Sequence, residues 1–454
     1  MNKELKTMLM TEEVDHGGLS RCVIAFYPGL FRHSVELGWL KYNGRYWSGQ
    51  GARSAVSRAV TNVLEKRRVI FATANEMKKA SACRTWNSTI RHCMAVIADM
   101  DGIETNATAF DADFDSINCN NGVVNLQDGT LEAHQPGQLF TYCVPVDYNP
   151  DADPTMWLEF LTSCGLAFEI IDYLQMAIGY TLTGWTSEEI MFYIWGKTRS
   201  GKGTTTEILS TILGKLGAGV DMTTFTAKRT GDTNNFDLAP LKAKRFLAAS
   251  ETARHGQLNP AVIKKITGGD EIYCSFKRKS HFSFRPQFKI WLSSNFPVNI
   301  DVDDDAAWGR IRVINYPESF LGKEDKGLKK RLKSKANLEG VLLWAVLGAV
   351  AWYKVRDTGL DTPESIVTAT KDHREALDSI QQFISSQCVI GDAYFTSGKQ
   401  LYTAYRDWCN DEGYTAFGRK RFTQSLEKRG HPTKVKRIGA KTTRAYAGIG
   451  LLED

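Results

Sequence analysis

The chain has 454 residues, of which 43% are hydrophobic and 24% are charged. These proportions are ordinary for a globular protein and exclude intrinsically disordered, collagen-like and low-complexity chains. At roughly 150 residues per domain, the length predicts about three domains. The 57 basic and 51 acidic residues give a net charge of only +6, so the placement of the basic residues is more informative than their number.

No membrane span, export signal or structural metal site is expected. The longest nearly apolar run, Val341 to Tyr353, has 13 residues, which is too short to cross a bilayer and predicts a buried helix instead. The first residues contain no apolar stretch typical of a signal peptide. The nine cysteines form no CxxC pair, so we expect free thiols in a reducing cytoplasm and no zinc site.

The first part of the chain predicts two blocks. Residues 1–150 mix helical and strand-like patterns and predict an N-terminal mixed α/β module. Within it, Gly122–Leu131 has the pattern of a β-hairpin around an Asp-Gly turn. Residues 151–185 start with a proline-containing linker and continue with apolar residues at helical spacing, which predicts a small helical collar.

The second part predicts an α/β core and a smaller terminal unit. Residues 186–356 alternate short apolar strands with helices, as a nucleotide-binding core does. A polar connector, 357–379, precedes the last block, 380–454, which is expected to contain two helices and a basic hairpin. The strand candidates of the core are Ile190–Trp195, Arg245–Ala249, Phe288–Ser293 and Ile311–Tyr316.

The strongest chemical signal is a glycine-rich loop between the first of these strands and a helix-like segment. Such a loop can wrap its backbone N–H groups around nucleotide phosphates, while Lys202 supplies a positive charge. Gly203 departs from the standard pattern, in which a serine or threonine binds Mg²⁺; Thr204 is the nearest hydroxyl. A structural corner with chance glycines is the alternative, but the strand-to-helix context favours phosphate binding. The predicted nucleotide-binding residues are Gly196, Lys197, Thr198, Arg199, Ser200, Gly201, Lys202, Gly203 and Thr204.

Hydrolysis requires an acidic residue that binds Mg²⁺ and polarises a water, usually at the end of a neighbouring strand. Glu251 ends the apolar strand candidate that starts at Arg245, and we predict Thr204 and Glu251 as metal ligands. A solvated glutamate at a strand end is the alternative. Asn295 ends another buried strand and is placed to hydrogen-bond the attacking water or the γ-phosphate.

Arg310 and Arg312 follow an aspartate-rich segment, and on a strand they would share one face. Arg310 could then reach the nucleotide of a neighbouring subunit, where its planar guanidinium would neutralise charge on a transferring phosphoryl group. Either arginine in isolation would more often pair with the nearby aspartates.

Two basic segments predict DNA contacts. One lies between aromatic residues, between Glu251 and Asn295, and suits a hairpin that presents cations to phosphates. The other lies in the last block, where a helix from about Lys420 to Lys428 would bury its apolar side and a basic wing would follow. A solvated surface and a solubilising tail are the respective alternatives. The predicted contacts are Lys277, Arg278, Lys279 and His281 in the first segment, and Arg419, Lys420, Arg421, Lys434, Lys436 and Arg437 in the second.

The order of these motifs resembles that of superfamily 3 helicases of the AAA+ class. More narrowly, the chain is similar to the C-terminal helicase part of phage and plasmid primases, which is related to poxvirus-type primase-helicases. The resemblance covers about residue 20 to the end. It rests on the glycine-rich loop, Glu251, Gly268–Asp270 with its basic hairpin, Asn295 and Arg310, on 121–130, 148–154 and 173–184 in the N-terminal part, and on 401–409 and 445–451 in the C-terminal part.

The resemblance implies an α/β AAA+ (P-loop) core with an N-terminal mixed α/β module, a helical collar and a C-terminal winged-helix domain. It implies Glu251 as the Walker B acid, Asn295 as sensor 1, Arg310 as the arginine finger, and Lys277 and Lys279 as DNA contacts. Ser250 stands where some relatives carry a second acid.

The function implied by the resemblance is an ATP- and Mg²⁺-dependent DNA helicase of a phage or mobile element, located in the cytoplasm of a bacterial host. It would form a homo-hexameric ring, move 3′ to 5′ on single-stranded DNA and unwind forked DNA, with a separate primase or polymerase as a further partner. Residues 1–150 show no evident paired-carboxylate polymerase motif and no zinc-binding cluster, so no priming activity is expected.

Two other functions stay open on the sequence alone. An origin-binding replication initiator would use a similar ring to melt or mark an origin with little processive unwinding, and footprinting on replicon DNA would identify it. A small-molecule P-loop kinase would be monomeric, would need neither the basic hairpin nor Arg310, and would show no ATP hydrolysis stimulated by DNA.

Overall fold

The structure, a computed structural model, describes residues 3–226, 238–250, 258–275, 281–297, 300–438 and 441–452. Its first part is mainly helical and has an apolar core of its own, between Leu9 and Ile103. A small antiparallel sheet, with strand order β1-β2-β3, packs beside the helices. Arg67 is buried there and donates hydrogen bonds to the carbonyls of Leu9, Glu12 and Glu13, which ties the first helix to the third. The elements are α1 (Lys3–Thr11), α2 (His16–Phe26), β1 (Phe31–Ser34), β2 (Gly38–Tyr42), β3 (Trp47–Ser48), α3 (Ala52–Thr73), α4 (Met77–Ala82) and α5 (Asn87–Ala98).

The predicted hairpin and helical collar are confirmed. The hairpin comprises β5 (Gly122–Asn125) and β6 (Leu131–Glu132), and β4 (Ser116–Cys119) pairs with it on the other side. The collar consists of α6 (Thr155–Ser163) and α7 (Phe168–Leu182). Apolar residues of the hairpin and the collar belong to the same buried cluster as the first strand and helix of the core, so these segments pack directly on the core.

A five-stranded, fully parallel sheet forms the centre of the core, with strand order β13-β7-β12-β9-β8. All four predicted strands are confirmed to within one residue, whereas β8 was not predicted. The elements of this part are β7 (Met191–Gly196), α8 (Lys202–Leu213), β8 (Gly217–Asp221), β9 (Phe246–Ser250), α9 (Pro260–Thr267), β10 (Ile272–Ser275), β11 (His281–Phe284), β12 (Lys289–Ser294), α10 (Asp305–Trp308) and β13 (Ile311–Tyr316).

Two buried cations hold the hairpin and the collar against the amino ends of these strands. Arg245 donates to the carbonyls of Asp113, Ser116 and Leu182 at 2.5 to 2.7 Å. Lys289 donates to the carbonyl of Thr183 at 2.6 Å, and burial lowers the pKa of this lysine well below its usual range. This edge of the sheet is therefore closed, and the opposite edge, at the carboxyl ends of the strands, carries the glycine-rich loop.

The predicted buried helix is confirmed but is longer than the apolar run, and it extends over α12 (Lys335–Val355), after α11 (Leu328–Leu332). It is the one helix in the described residues that is long and apolar enough to cross a membrane, yet 56% of its most apolar stretch is buried inside the protein. The predicted connector contains a helix, α13 (Glu364–Ala376), in which the Thr370 hydroxyl accepts a hydrogen bond from the Val313 backbone N–H of β13.

The last block contains the two predicted helices and the predicted basic hairpin. Phe422 and Leu426 are buried on the second helix, as expected. A further helix and strand were not predicted, and the three strands form an antiparallel sheet with order β14-β16-β15. The elements are α14 (Ser379–Gln387), β14 (Cys388–Ser397), α15 (Gly398–Asp411), α16 (Arg419–Lys428), β15 (Thr433–Ile438) and β16 (Lys441–Leu451).

Candidate nucleotide-binding site

The glycine-rich loop joins β7 to α8 at the carboxyl edge of the parallel sheet. Gly196 has a φ angle of +157°, and a Cβ atom there would lie 2.3 Å from the carbonyl oxygen of Tyr316. Gly201 has a φ angle of +96°, and its Cβ would lie 2.4 Å from the Cys164 sulfur of the collar. At both positions the positive φ angle and the close neighbouring atom require glycine. This explains why the loop is rich in glycine.

Lys202 is the first residue of α8, and it is only 6% exposed. Its ammonium group donates to the carbonyls of Gly196 and Lys197, both at 2.7 Å, and to the Ser200 hydroxyl at 3.0 Å. Burial lowers the pKa of Lys202 to about 8. Within the part of the chain that the structure describes, no carboxylate pairs with this lysine, so a polyphosphate would supply its counter-charge.

Asn295 is the second predicted site residue that the structure brings to the loop. It follows β12 directly, and its Oδ1 atom accepts a hydrogen bond of 2.8 Å from Lys202. The contact forms because β12 lies beside β7 in the sheet, so both strands end at the same edge. Ser250, the last residue of β9, is paired with Ser293 of β12 at this edge. Glu251 itself lies outside the described residues, and its role stays a prediction.

The start of α8 carries three hydroxyls, at Thr204, Thr205 and Thr206, and their surroundings differ. Thr205 is buried and lies 3.2 Å from the Tyr316 hydroxyl, and Thr206 donates to carbonyls of its own helix. Thr204 is half-buried, and Gly203 is exposed with no atom within 4 Å of a Cβ. In the described residues, no group of three or more His, Cys, Asp or Glu side chains is arranged to hold a metal ion.

A segment that the sequence did not single out supports the loop from the side of β13. The Ser319 hydroxyl donates to the Thr198 carbonyl at 2.9 Å, and the Phe320 N–H donates to the Arg199 carbonyl at 2.8 Å. Glu324 lies 3.6 Å from Arg199, whose φ angle is +60°. These contacts connect the loop to the segment that follows β13, and no motif in the sequence predicts them.

The structure does not bring Arg310 to the loop of its own chain. Arg310 lies at the amino end of β13, so the length of that strand, roughly 20 Å at 3.3 Å per residue, separates it from Gly196. Its guanidinium pairs with Glu189 at 2.7 Å and donates to the Thr267 hydroxyl at 3.2 Å. The nearby aspartates are therefore not its partners.

Those aspartates instead connect several parts of the molecule. We call residues 301–305 the acidic loop. Its carboxylates pair with cations of α9, α13 and α16, at 2.5 to 3.3 Å: Asp301 with Arg421, Asp303 with Arg429, Asp304 with Lys264 and Asp305 with Arg374.

The predicted DNA contacts have different surroundings. Arg421 is half-buried, because it pairs with the acidic loop and lies 3.8 Å from the Phe417 ring centre. It is therefore less accessible to solvent than Arg419 and Lys420. Arg419, Lys420, Lys434 and Lys436 are exposed. Lys277, Arg278 and Lys279 lie outside the described residues, although β10 and β11 on either side of them pair as an antiparallel hairpin. The side chains of His281 and Arg437 are also outside the described part.

Three segments of the chain match protein-family models. Residues 23–164 match the family described as D5 N terminal like, and residues 375–436 match the family described as Poxvirus D5 protein-like. Residues 194–311, which include the glycine-rich loop, match a family of unknown function (DUF5906).

Viral relatives match over much of the chain. "Putative helicase L207/L206" of Acanthamoeba polyphaga mimivirus is 25% identical over 442 residues, which cover 87% of this chain and 46% of that protein. "Putative helicase 184R" of Invertebrate iridescent virus 6 is 27% identical, over 58% of this chain and 29% of that protein. The chain thus spans less than half the length of these relatives. Among solved structures, the apo NrS-1 C terminal region (305-718) has the same fold, with a TM-score of 0.52, 12% identity, and coverage of 96% of this chain and 100% of that one.

Proposed function

The chain belongs to the family of D5-like primase-helicases, and from this premise we propose that it is an ATP-dependent DNA helicase of superfamily 3 with an AAA+ core. The observation that carries the proposal is the hydrogen bond between Lys202 and Asn295, at the carboxyl edge of a parallel sheet. A buried lysine and a polar strand end meet there beside a glycine-rich loop, which is the arrangement that phosphate binding and γ-phosphate sensing require.

ATP binding would use groups that are already in position. Helix α8 begins where the loop ends, so its first N–H groups would be available to phosphates. Lys202 would exchange its carbonyl contacts for phosphate oxygens. Asn295 would orient the γ-phosphate or the attacking water, and Glu251 would accept a proton from that water. Thr204 and Glu251 are the residues proposed to hold Mg²⁺, which neutralises charge on the phosphates when it is bound.

The position of Arg310 supports an ATP site that is shared between subunits. An arginine at the opposite edge of the sheet can serve only a neighbouring chain's nucleotide, which favours a ring, and we propose a homo-hexamer. The hairpin β10–β11 would carry Lys277 and Lys279 to single-stranded DNA in the pore, with translocation 3′ to 5′. We propose that the helicase belongs to a phage or mobile element and acts in the cytoplasm of a bacterial host. A separate primase or polymerase would be its partner.

We further propose that residues 380–454 form a winged-helix domain that binds duplex or forked DNA. Its helix α16 exposes Arg419 and Lys420 at one end, and β15 and β16 form a basic hairpin beside it. These features also suit the alternative function, an origin-binding initiator ATPase with little processive unwinding. The domain limits 1–150, 151–185, 186–356, 357–379 and 380–454 are kept as part of this proposal.

Unwinding of a labelled forked duplex tests the proposal. The wild-type chain with ATP and Mg²⁺ should release the labelled strand. Lys202→Ala should abolish release because Lys202 is the buried cation of the loop, whereas Lys197 and Arg199 are exposed. Lys326→Ala removes an exposed lysine outside the site and serves as the matched control, with wild-type activity expected. Strand release by Lys202→Ala at a rate near that of the control would refute the proposal.

A further inference from the structure

One segment of the N-terminal helical part carries charged side chains of a single sign. From Met77 to Ala98 the sequence contains four lysines and arginines and no aspartate or glutamate. This segment forms α4, a short turn and α5, and the proposed ATP site and the proposed DNA contacts use none of it. Its basic residues therefore need a separate explanation.

An exposed tryptophan lies in the middle of this segment. Trp86 precedes α5 and is 58% exposed, and it is the only tryptophan among the large apolar side chains that the described residues leave exposed. The guanidinium group of Arg84 lies 4.8 Å from the centre of its ring. The indole is thus fixed from one side by a cation and is presented to solvent rather than packed into the core.

Three cations, Lys78, Arg84 and Arg91, lie in the same segment as this indole, and hydrogen bonds from side chains to backbone carbonyls order the segment on both sides of it. Arg84 Nε donates to the Ser81 carbonyl at 3.0 Å, and the Ser81 hydroxyl donates to the Lys78 carbonyl at 2.8 Å. On the other side, Arg91 Nε donates to the Asn87 carbonyl at 3.3 Å, one turn back toward the tryptophan.

The charges of these three side chains are not neutralised. Lys79 is paired with Glu76 at 2.5 Å, whereas Lys78, Arg84 and Arg91 form no ion pair with any carboxylate of the described residues. All three side chains are exposed. The surface thus combines three available cations with an aromatic ring, which a merely solvated charged face would not need.

We propose that Lys78, Arg84, Trp86 and Arg91, the Trp86 patch, bind single-stranded nucleic acid. A base would stack on the indole, and the adjoining phosphates would contact the three cations. A single strand is the fitting ligand because its bases present their faces, whereas a duplex hides them in the stack. The patch would give a helicase a second contact with the unwound strand, outside the ATPase core, and it does not depend on nucleotide hydrolysis.

Binding of a fluorescent oligothymidylate of about ten nucleotides to the full chain tests the patch. The measurement is made without ATP and in a Lys277→Ala/Lys279→Ala background, so that the proposed pore hairpin does not dominate the affinity. Trp86→Ala should weaken binding at least about fivefold, and Trp86→Phe, which keeps an aromatic face, should retain most of it. Neither variant should change the basal ATP hydrolysis rate.

The cations are tested through the salt dependence of the same affinity. Lys78→Ser/Arg84→Ser/Arg91→Ser should lower the slope of log affinity against log salt by about 2, since each single-strand phosphate contact contributes about 0.7. Arg53→Ser/Arg58→Ser/Arg68→Ser removes three exposed cations from α3 of the same helical part and is the charge-matched control, with little change expected.

Several outcomes would overturn the patch. Equal losses in the two triple variants would indicate a diffuse electrostatic surface, and an equal effect of Trp86→Ala on duplex binding would remove the preference for single strands. A change in native mass on Trp86→Ala would identify the tryptophan as a subunit contact instead. If Trp86→Ala binds oligothymidylate as the wild type does and hydrolyses ATP normally, the patch alone would be refuted. If the wild type does not hydrolyse ATP, the proposed function alone would be refuted.

Discussion

Lys202 is charged and buried before any nucleotide arrives. Three backbone or hydroxyl oxygens and the Asn295 amide surround its ammonium group, and they offset only part of the cost of removing the charge from water. The lowered pKa of about 8 reflects that remaining cost. A polyphosphate would reverse it, because a full negative charge favours the protonated form.

The lowered pKa of Lys202 predicts how nucleotide affinity depends on pH. Below about pH 8 Lys202 is protonated in the free site, and above it a proton must be taken up on binding, so affinity should fall about tenfold for each further pH unit. Equilibrium binding of a non-hydrolysable ATP analogue at about pH 7.5 and about pH 9 checks this. Lys202→Arg, which stays charged, should show a flat profile; a flat profile in the wild type would contradict the burial argument.

The candidate site was predictable where its residues end strands of a parallel sheet. The glycine-rich loop and Asn295 could be identified because parallel strands end at one edge, and the structure brings them within hydrogen-bond distance. The hydrogen bonds that Ser319 and Phe320 donate to the loop could not be predicted. They form because the chain after β13 passes close to the loop, and no sequence pattern indicates this. Gly203 remains unusual, because the structure has room there for a larger residue.

Helices α7 and α12 cross in direct backbone contact, and this crossing holds the collar against the core. A Cβ at Gly348 would lie 2.0 Å from the Gln175 carbonyl oxygen, and a Cβ at Gly179 would lie 2.0 Å from the Ala349 nitrogen. Both neighbours are backbone atoms, which cannot move away by changing a rotamer. The crossing therefore depends on two glycines that local helix propensity would disfavour.

Replacement of Gly348 should be costly. Gly348→Ala gains helix propensity but forces the helices apart, so we expect a net loss of about 1–3 kcal/mol in the free energy of unfolding. Urea denaturation followed by circular dichroism measures it. Gly137→Ala, where no atom lies within 4 Å of the new Cβ, is the control and should change stability little. A Gly348→Ala protein as stable as this control would show that the crossing is not tightly packed.

Whole elements were predictable when apolar periodicity was strong. The four core strands, the collar helices and α16 show it, and the structure confirms them. Strand β8 was missed because Gly217–Asp221 contains two glycines and one large apolar residue, and its pairing with β9 alone defines it. Helix α13 was hidden in a polar stretch, where its packing on β13 decides the conformation.

At the scale of the whole molecule, the acidic loop joins the core that contains the parallel sheet to the C-terminal block. Arg429 is the central partner: it contacts Asp303 at 3.3 Å and Asp378 at 2.5 Å, and its side chain is 18% exposed. The loop lies between Asn295 and Arg310 in the sequence. Another carboxylate of the loop, Asp301, pairs with Arg421, a predicted DNA contact.

Removal of this link should loosen the C-terminal block. Arg429→Met leaves two partly buried carboxylates without their partner, which should cost about 1–3 kcal/mol. Stability to urea and limited proteolysis near residue 378 would report the loss. Arg406→Met breaks a solvent-exposed pair with Asp407 and should have no measurable effect. Equal behaviour of the two variants would show that the link contributes nothing.

If the ATP site is shared between subunits, mixing two inactive variants should restore activity. Because this arginine lies far from its own loop, Arg310→Ala chains and Lys202→Ala chains should each be inactive, while a mixture should recover part of the ATP hydrolysis. Interfaces that combine an intact loop with an intact arginine account for the recovery. Full ATP hydrolysis by a verified monomer would exclude a shared site.

The most direct test of the central claim is the steady-state rate of ATP hydrolysis by the full chain, with and without single-stranded DNA. We predict ATP hydrolysis that requires Mg²⁺ and rises several-fold with the DNA strand. It should disappear in Glu251→Gln, although that variant should still bind ATP. An ATP hydrolysis rate that single-stranded DNA leaves unchanged, or that Glu251→Gln retains, would contradict it.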